Sequence, residues 1–241
     1  MNGKVVLTDH PWPATDIEAA RCAAAGYELV VAPDGVTEAQ LVELVADADA
    51  ILTCWAKVTR AVIEAAPQLK VITRLGVGVD NIDLAAAGDA GAVVTRVPDY
   101  CVDEVSSHVV AFVHAWARGI AFFDKEVHEG RWMPSAAPLR RVKDLTIGIW
   151  GYGLLGVDTA AKFAGLGCTV LADDRHPERV APPVTAVPID ELLERSDVVS
   201  LHLPLNDDTR GLVDAGALGL MADGALLVNC ARGGVVDHDA L

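Results

Sequence analysis

The stretch that decides the fold runs Leu145-Thr-Ile-Gly-Ile-Trp150, then Gly151-Tyr-Gly-Leu-Leu-Gly156, then Val157 to Leu166, and ends Cys168-Thr-Val-Leu-Ala172-Asp173-Asp174. It reads as strand, glycine turn, helix and second strand, the context in which a G-x-G-x-x-G pattern carries chemical meaning. Gly151 permits the tight turn, Gly153 lets backbone approach a pyrophosphate, and Gly156 lets the helix pack close to the strand. The N–H groups at the helix start, from Gly153 through Leu154 and Leu155, then face the phosphates. Asp174 ends the second strand about 20 residues beyond the glycines, where a carboxylate receives the 2′-hydroxyl of an adenosine ribose and repels a 2′-phosphate. We therefore expect NAD as cofactor, with Asp174 preferred to Asp173. Arg175 alongside leaves NADP open, since an arginine there meets a 2′-phosphate or stacks on adenine.

Outward from this unit the alternation continues in both directions. Lys4–Thr8, Glu28–Ala32, Ala50–Cys54, Lys70–Arg74 and Ala92–Val97 read as strands. Asp16–Ala25, Thr37–Ala46, Thr59–Ala65 and Asp83–Ala90 read as helices between them, with Thr37 and Asp83 as N-caps. Strands apolar on both faces imply a parallel sheet covered on both sides. A longer apolar helix follows around Val102–Arg118, and Lys125–Arg141, with Gly130, Pro134 and Pro138, reads as a linker. After Trp150 come strands at Thr169–Ala172, Val198–Leu203 and Ala225–Cys230 and helices near Leu154–Leu166, Ile189–Glu194 and Asp214–Leu220. The predicted class is α/β, in two lobes with parallel sheets.

Bulk properties narrow the partners. Nineteen Lys and Arg stand against 34 Asp and Glu in 241 residues, a net charge of −15 that disfavours nucleic acid and anionic lipid. Neither a signal peptide nor a run of roughly 18 to 20 apolar residues is visible, so no membrane association and a cytoplasmic location are expected. The five cysteines are widely spaced, without metal-ligand spacing, and read as reduced and structural. No metal is expected.

Three further segments carry more than a generic nucleotide fold: Arg74-Leu-Gly-Val-Gly-Val-Asp-Asn-Ile-Asp83, Ser200-Leu-His-Leu-Pro-Leu205 and Val228-Asn-Cys-Ala-Arg-Gly-Gly-Val-Val-Asp237. With the glycine turn they resemble, in this order and over nearly the whole chain, the D-isomer-specific 2-hydroxyacid dehydrogenases, in particular the phosphoglycerate dehydrogenase branch. The resemblance implies a flavodoxin-like substrate domain at 1–101 and a Rossmann-type NAD-binding domain at 102–241, incomplete at its C-terminus. It implies hydride transfer between nicotinamide and a small anionic 2-hydroxy or 2-oxo acid.

Arg232, following a strand of a parallel sheet, offers a two-pronged donor to a substrate carboxylate and a polarised carbonyl, the task of the family arginine. Val77 and Gly78 would hold the carboxylate from the other lobe, although without the resemblance they read equally as a helix-capping turn. Arg74 and Lys57 keep an anionic substrate in view. His202, Leu203, Pro204 and Ala231 would line the cofactor, His202 packing beside it and not serving as an acid. Glu104 and His108, at i, i+4, read as structural.

Two departures qualify this. The family's proton-donating histidine and its orienting glutamate lie downstream of the arginine, and no such pair follows Arg232 here. The given sequence therefore reads as an incomplete version of a longer enzyme. The alternative is an NAD-binding regulatory module without turnover, like the corepressors that share the fold. Where phosphoglycerate dehydrogenases commonly carry a phosphate-binding arginine after the third strand, this chain has Thr53-Cys-Trp-Ala-Lys57, and an uncharged Thr53 does not pair with phosphate in that way. Trp55 reads either as a cover for an apolar substituent or as a core or interface residue. A homodimer is expected from the family and from the apolar and aromatic run Val109 to Phe123.

Overall fold

The computed structural model describes residues 3–241, which form two compact units divided between Tyr100 and Cys101. In the first, β1 (Gly3–Leu7), β2 (Tyr27–Val31), β3 (Ala50–Thr53), β4 (Val71–Arg74) and β5 (Val93–Arg96) make one parallel sheet in the order β2-β1-β3-β4-β5. That is the flavodoxin-like order, with its topological switch between β1 and β3. Right-handed crossovers put α1 (Asp16–Ala24) on one face. They put α2 (Glu38–Leu44), α3 (Arg60–Glu64) and α4 (Leu84–Asp89) on the other.

The core lies under these three helices, where Val6, Ile51 and Ile72 of the sheet meet Leu41, Val62, Ile63 and Ala87. Thr37 accepts from the Gln40 N–H while Gln40 returns a bond to the Thr37 N–H, a capping box that starts α2. Asp83 caps α4 in the same sense. The expectation of a sheet covered on both sides holds only in part. α1 buries none of its residues, because the handedness rule leaves it alone on its face, and Val93 on the edge strand β5 is 61% exposed.

In the second unit α5 (Val102–Ala117) and α6 (Ile120–His128) precede a sheet of β6 (Thr146–Trp150), β7 (Thr169–Asp173), β8 (Thr185–Ala186), β9 (Val198–Leu201) and β10 (Leu226–Asn229). The strands are parallel, in the order β10-β9-β6-β7-β8. Renumbered from β6 this is 3-2-1-4-5, the Rossmann order, switching between β6 and β9. Ile147 and Ile149 pack with Phe163 and Ala160 of α7 (Leu154–Gly165) and with Val109 and Val113 of α5. Leu171, Val199 and Leu201 pack on the opposite face with Leu192 and Leu193 of α8 (Ile189–Arg195) and with residues around α9 (Ala215–Leu220). The fully buried Phe163 alone contributes roughly 2–3 kcal/mol of apolar transfer.

The linker expected at Lys125–Arg141 needs correction, because its first four residues complete α6. The apolar run ahead of it is two helices, broken at Gly119, whose φ of +61° lies in the left-handed region. Glu126, buried in α6, is held by Arg131 Nε at 2.6 Å and ties down the turn that follows. The irregular segment proper runs from 129 to 141.

Candidate functional site

The glycine turn leaves the C-terminal end of β6 and enters α7. Gly151 has a φ of +98° and donates its N–H to Asp173 O at 2.9 Å. A Cβ there would stand 2.8 Å from the His202 carbonyl oxygen, so the loop after β9 closes over the turn only because no side chain intervenes. A Cβ on Gly156 would stand 2.1 Å from Gly151 O, which makes Gly156 a packing requirement of the protein itself. Gly153 differs: its backbone is extended, and a Cβ would meet nothing within 4 Å. It is the N-cap of α7 and contributes no side-chain cap, so the first N–H groups of a twelve-residue helix lie beside open space. That geometry fits a pyrophosphate.

Asp174 follows β7 directly. Its Oδ2 accepts from the Tyr152 N–H at 2.7 Å and its Oδ1 from the His176 N–H at 2.9 Å, which fixes the carboxylate against the glycine turn. Burial raises this carboxyl, but those two bonds, with His176 and Arg179 nearby, outweigh it and hold Asp174 below the ordinary aspartate value. Asp173 moves the other way, raised by burial and by the adjacent Asp174 charge. Of the two, Asp174 is the carboxylate whose charged form its surroundings favour.

At the end of β9 the buried Ser200 and the partly buried His202 share a hydrogen bond of 2.9 Å between Oγ and Nε2, while the His202 N–H continues the ladder to Trp150 O. Burial pushes the imidazole down to about 4, so it is neutral at physiological pH. Leu203 lies against Gly151, and the Pro204 carbonyl accepts from Thr209 Oγ1 at 2.6 Å. Beyond β10, Asn229 clips the next loop: its Oδ1 accepts from the Ala231 N–H and its Nδ2 donates to Arg232 O. Arg232 is half-buried, with extended backbone, and one guanidinium nitrogen donates to Ala231 O at 2.9 Å.

Thus Gly151–Gly156, Asp174, His202–Pro204 and Ala231–Arg232 share one edge of one sheet. From β7 to β10 that edge spans three strand spacings, about 14 Å. From the sequence, Ser200 to Pro204 were expected to line the cofactor by backbone contacts; the Ser200 side-chain bond to His202 and the clip made by Asn229 were not expected. Their signal was a polar side chain at or near the C-terminal end of an otherwise apolar strand.

Arg74, Val77 and Gly78 belong to the other unit, at and after the C-terminal end of β4. Arg74 is 8% exposed, and its Nε donates to Cys54 O at 2.9 Å. Its guanidinium lies where a Cβ on Gly76 would be, 1.5 Å from Nη1, so the glycine makes room for the arginine. Arg96 Nη1 donates to Val77 O at 3.0 Å and ties β5 to this turn. Among the described residues no His, Cys, Asp and Glu group is arranged to hold a metal, and no helix is long and apolar enough to cross a membrane.

A Rossmann-ordered sheet, an uncapped helix behind an open glycine, and a fixed acidic residue after the second strand define a dinucleotide-binding α/β protein. Residues 110–241 match the family model described as D-isomer specific 2-hydroxyacid dehydrogenase, NAD binding domain, and the chain belongs to that family. It is 33% identical over 215 residues to a hydroxypyruvate reductase of Thermotoga maritima, covering 89% of this chain and 70% of that protein. It is 37% identical over 212 residues to a D-3-phosphoglycerate dehydrogenase of Mycobacterium leprae, covering 86% of this chain but only 40% of that one. The structure resembles a Staphylococcus aureus NAD-dependent formate dehydrogenase in complex with NAD, with a TM-score of 0.88 and 28% identity, over 98% of this chain and 76% of the other. The second unit therefore carries the family's NAD-binding domain.

Proposed function

We infer that the protein is an NAD-dependent oxidoreductase moving a hydride between nicotinamide and C2 of a small 2-hydroxy or 2-oxo acid. The observation that carries this is the common edge of the second sheet, where the glycine turn and Asp174 lie at one end and Arg232 at the other. In this reading Gly153, Leu154 and Leu155 present N–H groups to the pyrophosphate, and Gly151 and Gly156 shape the turn. Asp174 receives the adenosine ribose, and its fixed negative charge favours NAD over NADP. His202, Leu203, Pro204 and Ala231 form the wall beside the dinucleotide.

The bound nicotinamide supplies or accepts the hydride. Arg232 grips the substrate carboxylate and polarises the C2 carbonyl, whose oxygen gains negative charge as the hydride arrives and is then protonated by an acid that is none of the residues named here. Asn229 holds the backbone from which Arg232 projects. We assign the first unit as the substrate domain, with the N–H groups of Val77 and Gly78 as its substrate-binding groups and Arg74 shaping their turn from beneath. His202 is neutral and bonded to Ser200, and it is assigned to packing and not to proton donation. A homodimer built on α5 and α6, and a cytoplasmic location, complete the proposal.

The test is Arg232→Ala, assayed with NADH and a panel of 2-oxo acids in the full-length protein. Loss of a bidentate charged contact predicts a fall in kcat/KM of at least about a hundredfold. A rate near wild type would remove Arg232 from the mechanism.

A further inference from the structure

The loop after β10 carries residues assigned to two different ligands, Ala231 beside the dinucleotide and Arg232 on the substrate. Three successive peptide groups there are each bound by a side chain. Asn229 Oδ1 accepts from the Ala231 N–H at 3.0 Å, Arg232 Nη1 donates to Ala231 O at 2.9 Å, and Asn229 Nδ2 donates to Arg232 O at 2.9 Å. The far leg of the loop is tied to a neighbouring segment. The Gly211 N–H donates to Gly234 O and the Val213 N–H to Val235 O, and Val213 and Val235 are fully buried. The near leg, from 230 to 232, is gripped by the Asn229 amide.

An Asx turn closing a strand accounts for only the first of these bonds. It needs a side-chain acceptor for an N–H two residues on, which Asp or Ser supplies as well as Asn. The bond to Arg232 O needs a donor on the same short side chain, and at that length an amide alone places acceptor and donor on separate atoms. Asn229 is exposed, so water would satisfy its amide equally well, and no burial forces these partners on it. The two bonds reach residues of different function. One fixes the Ala231 backbone and the other fixes the Arg232 backbone, while the guanidinium is set against Ala231 in turn. What seats Ala231 therefore seats Arg232, and the reverse.

Resting on the oxidoreductase reading above, we propose that Asn229 is a positioning residue that couples the two ligands, because the dinucleotide against Ala231 and the 2-oxo acid on Arg232 stabilise one clipped loop. Each ligand binds more tightly when the other is present, by the same factor in both directions. The source of that factor is that the loop is ordered once for two ligands. Two hydrogen bonds of ordinary net strength set it at about tenfold.

The experiment uses oxamate, a 2-oxo acid isostere whose amide carbonyl accepts no hydride, and measures its binding to the full-length protein by calorimetry with and without saturating NADH. The wild type is expected to bind oxamate at least about tenfold more tightly in the NADH complex, and Asn229→Ala to lower that factor to about threefold or less. Asn229→Asp keeps the acceptor for Ala231 and loses the donor to Arg232 O. It should leave NADH affinity within about twofold of the wild type while weakening oxamate in the NADH complex about tenfold. A loss of stability alone moves neither quantity in a chain that circular dichroism shows to be folded, and Asn229→Asp, which retains the Asx turn, decides the matter if Asn229→Ala folds poorly. No effect of NADH on oxamate in the wild type, a factor unchanged in folded Asn229→Ala, or NADH and oxamate weakened alike in Asn229→Asp overturns the proposal. The parent reading fails differently: the wild type then binds no NADH or no oxamate, or the NADH complex of Arg232→Ala holds oxamate as tightly as that of the wild type.

Discussion

Gly153 and Gly156 stand three residues apart in one motif yet answer to different demands. A Cβ at Gly156 would press to 2.1 Å on the Gly151 carbonyl oxygen, whereas one at Gly153 would meet no protein atom. Gly156→Ala is therefore expected to cost about 3 kcal/mol of folding stability. Gly153→Ala, at an ordinary φ of −82°, should change stability by less than about 1 kcal/mol while weakening NADH about tenfold. Urea melts and an NADH titration on both variants check the pair.

His202 makes a pH prediction. Its imidazole falls from 6.5 unfolded to about 4 folded, so between those values the unfolded chain binds more protons. Stability contributed by this group is complete above about pH 6.5 and declines as pH drops toward 4, by at most about 3 kcal/mol. His202→Gln, which keeps a partner for Ser200, should flatten that part of the urea-midpoint profile. An unchanged slope would contradict it. Of these residue-level facts, the glycine pattern was legible in the sequence because it is local. The Tyr152–Asp174 bond, the Ser200–His202 pair and the burial of Arg74 were not, since each joins segments that only the folded sheet brings together.

Elements were legible where their periodicity is long and their ends are marked. The capped helices α2 and α4 and the strands β1, β3, β4, β6 and β7 fall within a residue or two of expectation. The two-residue strand β8 carries no periodic signal at all. α6 escaped notice because an apolar run continues through Gly119, and only a left-handed glycine separates the two helices.

That break explains the aromatic surplus. Phe112 on α5, Ile120, Phe122 and Val127 on α6, and Trp132 and Met133 just after it are all exposed, Trp132 to 83%. Large apolar groups left open on adjacent helices mark an interaction surface. The prediction at this scale is a dimer of this chain at micromolar concentration by light scattering, reduced to monomer by Phe112→Glu combined with Ile120→Glu. A wild-type monomer would contradict the assignment of α5 and α6 to a self-interface.

At the scale of the molecule, two parallel sheets have different strand orders. The flavodoxin order brings the turn of Gly76 to Gly78 to the C-terminal end of one sheet, and the Rossmann order brings the glycine turn, Asp174 and Arg232 to the C-terminal end of the other. Alternating strands and helices announced both sheets in the sequence, but strand order depends on where each crossover returns, and no local pattern records that.

The edge running from Asp174 to Arg232 is assigned to NAD, and a titration of the folded chain with NADH, followed by nicotinamide fluorescence, tests that assignment. Saturable binding of one NADH per chain is expected, weaker by at least about tenfold in Asp174→Ala, with NADPH bound less tightly than NADH by the wild type. A chain that is folded by circular dichroism yet shows no saturable binding, or binds both dinucleotides alike with Asp174 present or absent, would contradict it.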